Sequence, residues 1–494
     1  MAALTGCWPG NYPMPPAMTV TPRYPSMTTT VVPGTATPTR LPTTTPLPRC
    51  TPVAVEPTLP YPTAVPTPVP YPTQRPIIVN GGNALVTALK MPFLHHVDVA
   101  VHPSQGWAAV ASVWPDDYHG SDGGPSRRIF VRVFNPDAHA WGLTHQVNPP
   151  PAEDGNGLYG GVALAISGDG TVHVVWGGAF TPGKPVWYAQ SHDYGATWSA
   201  PQQIGRDCYS VANMEATLDG QLVVLALCST PEFLVLPGFI VRRADGTWLP
   251  QEEIDVDGRW GHVVVLGDGQ DARAIALMSS GGTGYIIQKE LHATGPWQVQ
   301  SKDLAPATGS NYLFRGMTFR RPNGMDGIVF TWSVYGANAV YTLQSLDGGQ
   351  SWGAVETVAE YRSAPDPDDP PPDHRWSAPA YDVRADRVII LLVRRDLDDV
   401  PWPGNGTHYA FWSVPGSGTW TPRQGPDVYG QVIPLISGAT SASYTDTAQM
   451  GNGSFVWLAW INRWQQLQVR SLDLNLIVPA DQYPVPPPTT GATQ

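Results

Sequence analysis

The sequence predicts an all-β fold, a seven-bladed β-propeller preceded by an extended Pro/Thr-rich segment, and three observations carry that expectation. Its 494 residues include 54 Pro, 50 Gly and 19 Trp with few helical periodicities, the composition of many short strands joined by tight turns. From residue 77 onward a unit of inner strand, tight turn, second strand, loop, third strand, turn and fourth strand recurs at about 55-residue intervals, near the period of propeller repeats. One eight-residue turn motif is written out twice in full, at corresponding places in two of these units. A six-bladed ring is the alternative count.

The inner hairpins turn at Pro103-Ser104-Gln105-Gly106, Gly168-Asp169-Gly170, Asp219-Gly220, Gly267-Asp268-Gly269, Pro322-Asn323-Gly324, Ala385-Asp386 and Gly451-Asn452-Gly453. That makes seven units. The apolar runs that follow, at 107–114, 172–176, 222–227, 274–278, 328–332, 388–393 and 455–461, have the look of central strands in packed sheets. Turns between third and fourth strands close on Trp141, Trp198, Trp248, Trp297, Trp352 and Trp420, with Ser471-Leu472-Asp473 taking that place in the last unit. Residues 84–89 supply an extra strand that fastens the ring. A blade cannot bury its own faces, but a closed ring buries each against its neighbours and leaves few edges.

The complete turn motifs are Ser191-His192-Asp193-Tyr194-Gly195-Ala196-Thr197-Trp198 and Ser345-Leu346-Asp347-Gly348-Gly349-Gln350-Ser351-Trp352, both S-x-D-x-G-x-x-W. Ser and Asp bond the backbone of a tight turn, Gly supplies the positive-φ position, and Trp folds back as an apolar plug. The motif resembles the Asp box (BNR repeat) of sialidase-like β-propellers. In that family the box lies on the outer turn of a blade, away from the ligand face. The resemblance thus implies a structural role for Ser191, Asp193, Gly195, Trp198, Ser345, Asp347, Gly349 and Trp352. Sialidase catalytic domains have six blades, so seven units weaken the enzymatic reading. The enzyme question stays open, leaning to no; an enzyme of this kind would be a glycoside hydrolase of sialidase type, an exo-glycosidase.

Ligand-binding residues belong on the face bearing the loops that lead into inner strands and those between second and third strands. Arg206, Arg259, Arg315 and Arg375 each stand just ahead of an inner strand, in units three to six. Equivalent positions converge near the central channel, where several guanidinium forks can share one carboxylate. The alternative is that they brace loops against Asp207, Asp257 and Asp373. Resemblance to sialidases implies three such arginines, an Asp acid/base and a Tyr nucleophile activated by Glu. The opening that carries the family's first arginine is missing, and spacing selects neither Asp116 nor Asp117 as acid, neither Tyr335 nor Tyr312 as nucleophile. Catalytic residues therefore stay unassigned. Trp260, Trp376, Tyr335 and Trp402, with carboxylates in loops 148–160, 363–376 and 394–408, suit a glycan, because flat rings stack on sugar faces while carboxylates bond hydroxyls. No D-x-D-x-D-G loop and no C-x-x-C pair is present, so neither a metal nor a cofactor is expected.

Residues 1–76 repeat Pro and Thr with hardly a charge, the material of an extended spacer with no packed core. The ring proper then occupies 77–482, and 483–494 form a Pro/Thr-rich tail. Leu4-Thr5-Gly6-Cys7 resembles a bacterial lipobox, which implies lipid anchoring if a signal sequence lies upstream of Cys7. Cys208 and Cys228 flank the hairpin at Asp219-Gly220, with Val211 expected opposite Cys228; after a bulge the two sulfurs can form a disulfide, or they remain two buried thiols. Charged residues are only 14% and the net charge is -12, which argues against a nucleic-acid backbone as partner. No apolar run reaches the roughly twenty residues of a membrane-spanning helix. The expectation is an extracellular or cell-surface recognition or assembly module whose partner is a glycan or another surface component. A structural subunit of a surface filament or virion, self-assembling through the N-terminal segment, is the further option.

Overall fold

The computed structural model describes residues 86–478, apart from 90–95, 104–106, 116–126, 136–137, 139, 149–160, 178–184, 230–234, 281–282, 305–310, 335–338, 361–373, 396–405, 422–430, 433–444, 450–454, 462–466 and 475–476. The Pro/Thr-rich stretches, Cys7 and Cys50 therefore lie outside the described residues. So do Asp116, Asp117, Tyr335, Asp373 and Trp402.

Seven antiparallel sheets account for the strands, so the chain is an all-β, seven-bladed β-propeller. Inner to outer, the first blade is His96–Val101, Ala108–Pro115 and Arg127–Asn135 with the short pieces Ala140–Trp141 and His145–Gln146. The second is Val162–Ile166, Val172–Trp176, Pro185–Ser191 and Gln202–Arg206; the third is Cys208–Ala216, Leu222–Ser229, Val235–Arg242 and Glu252–Glu253. Trp260–Leu266, Arg273–Ser280, Thr283–Glu290 and Gln298–Asp303 form the fourth, and Asn311–Arg320, Asp326–Val334, Ala339–Ser345 and Glu356–Glu360 the fifth. His374–Asp382, Arg387–Arg395, Gly406–Ser413 and Gln431–Val432 form the sixth. A 3-10 turn lies at Gly269–Asp271.

The seventh blade holds Thr445–Gln449, Phe455–Ile461 and Leu467–Asp473, and its fourth strand is Val86–Leu89 from the other end of the chain. That strand pairs antiparallel with Leu467 to Arg470 and fastens the ring as expected. The same closure corrects the reading of Ser471-Leu472-Asp473 as a turn: these residues are the end of the third strand. No turn into a fourth strand is needed there, because the fourth strand does not follow in sequence.

Register in the third blade also departs from expectation. Cys208 itself lies opposite Cys228 and Val211 opposite Ala226, because irregularities between Cys208 and Ser210 and between Val211 and Asn213 shift the pairing. Each bulge inserts an unpaired residue into the inner strand, and their sum brings the first residue of the strand level with Cys228.

Burial follows the ring. Second strands such as Val172–Trp176 and Leu222–Ser229 are buried along their described length, because both faces of a blade meet neighbours. Core clusters span adjacent blades: Ile275 and Leu277 of the fourth pack with Phe330, Trp332 and Leu343 of the fifth, and Val329 of the fifth with Ile390 and Phe411 of the sixth. Polar side chains on inner strands stitch the blades. Leu164 N donates to Asp98 Oδ2 at 2.5 Å. Asn213 receives Val263 N at 2.9 Å and donates to Val263 O at 2.7 Å; Gln449 receives Tyr381 N at 2.6 Å and donates to Tyr381 O. In each case a carboxylate or amide satisfies backbone groups that no neighbouring strand of the same sheet reaches.

Candidate functional site

The molecule presents two faces: one of tight turns, inner hairpins and third-to-fourth connections, and one of loops. On the turn face the two complete motifs build the same circuit. Ser191 Oγ donates to Asp193 Oδ1 (2.8 Å) and receives Gly195 N (2.8 Å), while Thr197 donates its N to Oδ1 (2.8 Å) and its hydroxyl to Oδ2 (2.6 Å) of Asp193. Ser345, Asp347, Gly349 and Ser351 repeat this at 2.8, 2.7, 2.9 and 2.5 Å. Gly349 has φ 86°, and a Cβ there would come within 2.9 Å of Ile275 Cδ1 in the preceding blade. Burial alone would raise the pKa of Asp347; hydrogen bonds from Ser351 and Ser345 outweigh it and hold the carboxyl below its ordinary value. Both oxygens of this carboxylate are engaged by the turn.

The closing tryptophans reach backwards round the ring. Trp248 sets its edge on Tyr188 of the second blade (4.9 Å between centroids), Trp297 stacks on Phe239 of the third (3.9 Å), and Trp141 meets Trp457 of the seventh (5.9 Å). Trp420 donates its indole N–H to Glu356 Oε2 of the fifth blade at 3.1 Å. Burial raises the pKa of Glu356 against that bond and one from Gln344. This explains why degenerate motifs keep Trp after losing Ser or Asp: the indole is the interblade plug, and the Ser/Asp circuit only shapes the turn.

One turn-face cluster contains the residue types of a hydrolase. Ser167 Oγ lies 2.6 Å from Asp169 Oδ1 and 3.0 Å from His173 Nε2. Nucleophilic activation needs His between Ser and the carboxylate; here Ser is in the middle and is 1% exposed. The cluster is architecture.

On the loop face the chain passes from the second blade into the third through a single residue, Asp207, at φ 61°. Gln251 fixes the corner, accepting from Arg206 N (3.0 Å) and donating to Arg206 O (3.0 Å). The side chain of Arg206 stands 80% exposed, 3.8 Å from Asp207. Arg259 likewise pairs with Asp257 at 3.8 Å, 61% exposed, and beside it Trp260 opens the inner strand of the fourth blade with its residue surface 38% exposed. Arg315 lies at a register shift in the inner strand of the fifth blade and donates to Phe314 O. Arg375 and Trp376 lie within His374–Asp382, so Arg315 and Arg375 stand inside their inner strands and not ahead of them as expected: pairing with the second strand runs past each, across a register shift in both blades. Two of the four arginines are thus seen turned to a neighbouring carboxylate in solvent.

The sulfurs of Cys208 and Cys228 are bonded (2.04 Å), both residues buried, at the loop-face end of the third blade. A Cβ at Gly238 would lie 2.4 Å from Cys228 Sγ, so glycine there makes room for the bridge. Among the described residues no group of three His, Cys, Asp or Glu is placed to hold a metal ion, and no helix is long and apolar enough to cross a membrane. Sequence reading missed Gln251 and the stitching side chains Asp98, Asn213 and Gln449. Their partners lie 45 to 68 residues away, where no local pattern points.

No protein-family model matches the chain, and no curated protein matches it. Among solved structures it is similar to a Hadza microbial sialidase (13% identity, 80% of this chain and 69% of that one, TM-score 0.48). It is also similar to the NanB sialidase from Streptococcus pneumoniae (8%, 80% and 95%, TM-score 0.38) and to an ulvan lyase (11%, 77% and 95%, TM-score 0.44). These are likenesses of shape at very low identity, and the functional reading rests on this chain's own residues.

Proposed function

We propose that the chain is an Asp-box propeller of the cell exterior that recognises carbohydrate on its loop face, with 1–76 as spacer, 77–482 as ring and 483–494 as tail. The observation that carries the reading is Trp260, an indole left partly open on that face beside the Arg259 and Asp257 pair. A flat ring flanked by a cation and a carboxylate offers a sugar one stacking face and two sets of hydroxyl or carboxylate partners. The bridge between Cys208 and Cys228 supports an oxidising compartment.

The test is a glycan array followed by titration calorimetry with the best glycan. Trp260→Ala is expected to weaken binding about tenfold, the loss of roughly 1.4 kcal/mol of stacking, with an unchanged melting curve. Equal affinity in the variant removes Trp260 from the site, and binding to no glycan on the array overturns the reading. Turnover of a fluorogenic sialoside that disappears in Arg315→Ala replaces it with the hydrolase.

A further inference from the structure

Seven side chains of the second blade close a ring of hydrogen bonds on the turn face, linking the buried Ser167, Thr171 and His173 at its inner turn, with the exposed Asp169, to the exposed His192 of its third-to-fourth turn. In order the links are Asp169 to Ser167 (2.6 Å), Ser167 to His173 Nε2 (3.0 Å), His173 Nδ1 to Tyr188 Oη (2.8 Å) and Tyr188 to Gln190 Oε1 (2.6 Å). Gln190 Nε2 then meets His192 Nε2 (3.0 Å), His192 Nδ1 meets Thr171 Oγ1 (2.9 Å), and Thr171 returns to Asp169 Oδ2 (2.9 Å).

Seven links need seven hydrogens. Ser167, Thr171 and Tyr188 supply one each, two neutral imidazoles one each, and Gln190 one from the nitrogen side of its amide. Asp169 supplies none: burial would raise its pKa, but hydrogen bonds from Ser167 and Thr171 outweigh that and keep it ionised. His173 cannot fill the gap, since burial and then Arg242 push its pKa down to about 3. The ring is one hydrogen short. With the Gln190 oxygen turned to Tyr188 and to Arg242 Nη2 (3.5 Å), the shortage falls on Ser167, whose single hydrogen faces both Asp169 and His173.

We propose that the second blade is a proton-coupled lock: one solvent proton enters at His192, and the whole ring reverses to accept it. His192 then donates from both nitrogens, to Thr171 and to the Gln190 oxygen, and the Gln190 amide turns over to donate to Tyr188. Tyr188 redirects its hydroxyl to His173 Nδ1, His173 shifts its hydrogen to Nε2 and donates to Ser167, and Ser167 donates to Asp169. All seven links are filled, and the charge on Asp169 is balanced inside its own ring. Three further charged or titratable groups bear on it. Arg242, from the third blade, loses its contact with the Gln190 oxygen; Asp193 is the next residue of the turn; the field of Asp193 also reaches His145 of the first blade. The consequence is chemical information carried from an exposed turn to the buried side chains of Ser167 and His173 with no movement of the backbone.

Imidazole nitrogen NMR between pH 5 and 8 tests it on the intact chain. As His192 gains its second N–H, His173 is expected to change from the Nδ1–H to the Nε2–H tautomer over the same pH interval while staying neutral. Asp169→Asn supplies the seventh hydrogen without a charge, so His173 should then keep one tautomer throughout. The proposal is overturned if His173 keeps one tautomer while His192 titrates, if His192 never takes a second proton, or if the variant switches as the wild type does. The wild-type titration decides the matter alone if Asp169→Asn does not fold.

Discussion

Asp347 holds three atoms of its turn with one carboxylate, and its twin Asp193 does the same three blades away. Replacing Asp347 by Ala strands the Ser351 N–H and two hydroxyls, and is expected to cost about 2 kcal/mol, read as a lower denaturant midpoint with unchanged slope. Gly349→Ala should cost at least as much, since its φ of 86° is foreign to L residues and the new methyl meets Ile275. The folded-state pKa of Asp347 is depressed, so its contribution is present above the ordinary carboxylate range near pH 4 and is lost as pH falls through the lower folded value. These positions were legible in sequence because every partner lies within four residues. Trp260 was legible as a candidate by its place ahead of a strand, whereas Gln251, which positions the Arg206 corner, offered no local sign.

At the scale of the strand and turn, the backward reach of Trp141, Trp248, Trp297 and Trp420 makes the third-to-fourth connection an interblade element. Trp297 is 6% exposed, stacks on Phe239 and lies under Lys289 Nζ at 5.7 Å from its ring. Trp297→Ala is expected to cost about 3–5 kcal/mol by cavity formation, and Trp297→Phe distinctly less, in thermal or chemical melts. The inner turns are tied as well. Arg321 of the fifth blade grips Asp386 of the sixth through two bonds, 3.1 and 2.6 Å, and Tyr381 donates to the same carboxylate at 2.6 Å. Burial would raise the pKa of Asp386, but Arg321 and Tyr381 depress it. Asp386 has φ 48°, a conformation Asn tolerates, so Asp386→Asn isolates the charge. The variant should be about 1–2 kcal/mol less stable at pH 7. The gap should close as pH falls below about 4 through the folded pKa, since wild type then loses the same charge. Urea melts at pH 7 and at successive pH values below about 4 check both halves, and a gap that does not shrink at all as pH falls refutes the assignment of the effect to charge.

Over the whole molecule, what the sequence conveyed well was whatever repeats: seven inner hairpins, seven apolar second strands and six tryptophans spaced like the blades they close. What it conveyed poorly was whatever depends on closure. Ser471 to Asp473 looked like a seventh turn only because the sequence hides that the last sheet is completed by residues nearly 400 positions earlier. The same closure makes the sharpest test of the domain boundary. Val86–Leu89 is the outer strand of the seventh blade, so a chain lacking residues 1–76 keeps every described strand, while one lacking 1–89 exposes the edge from Leu467 to Arg470. The first truncation is expected to melt as the full chain does, within a degree in calorimetry. The second should unfold at a clearly lower temperature and over a broader range, because loss of ring closure lets the blade stack open from one end instead of all at once. An edge freed in this way is also a template for pairing with another chain, so the second truncation should show concentration-dependent association in sedimentation velocity. Identical melting and sedimentation of the two truncations would mean that the ring is held by its interblade plugs and stitches alone, with the closing strand contributing nothing.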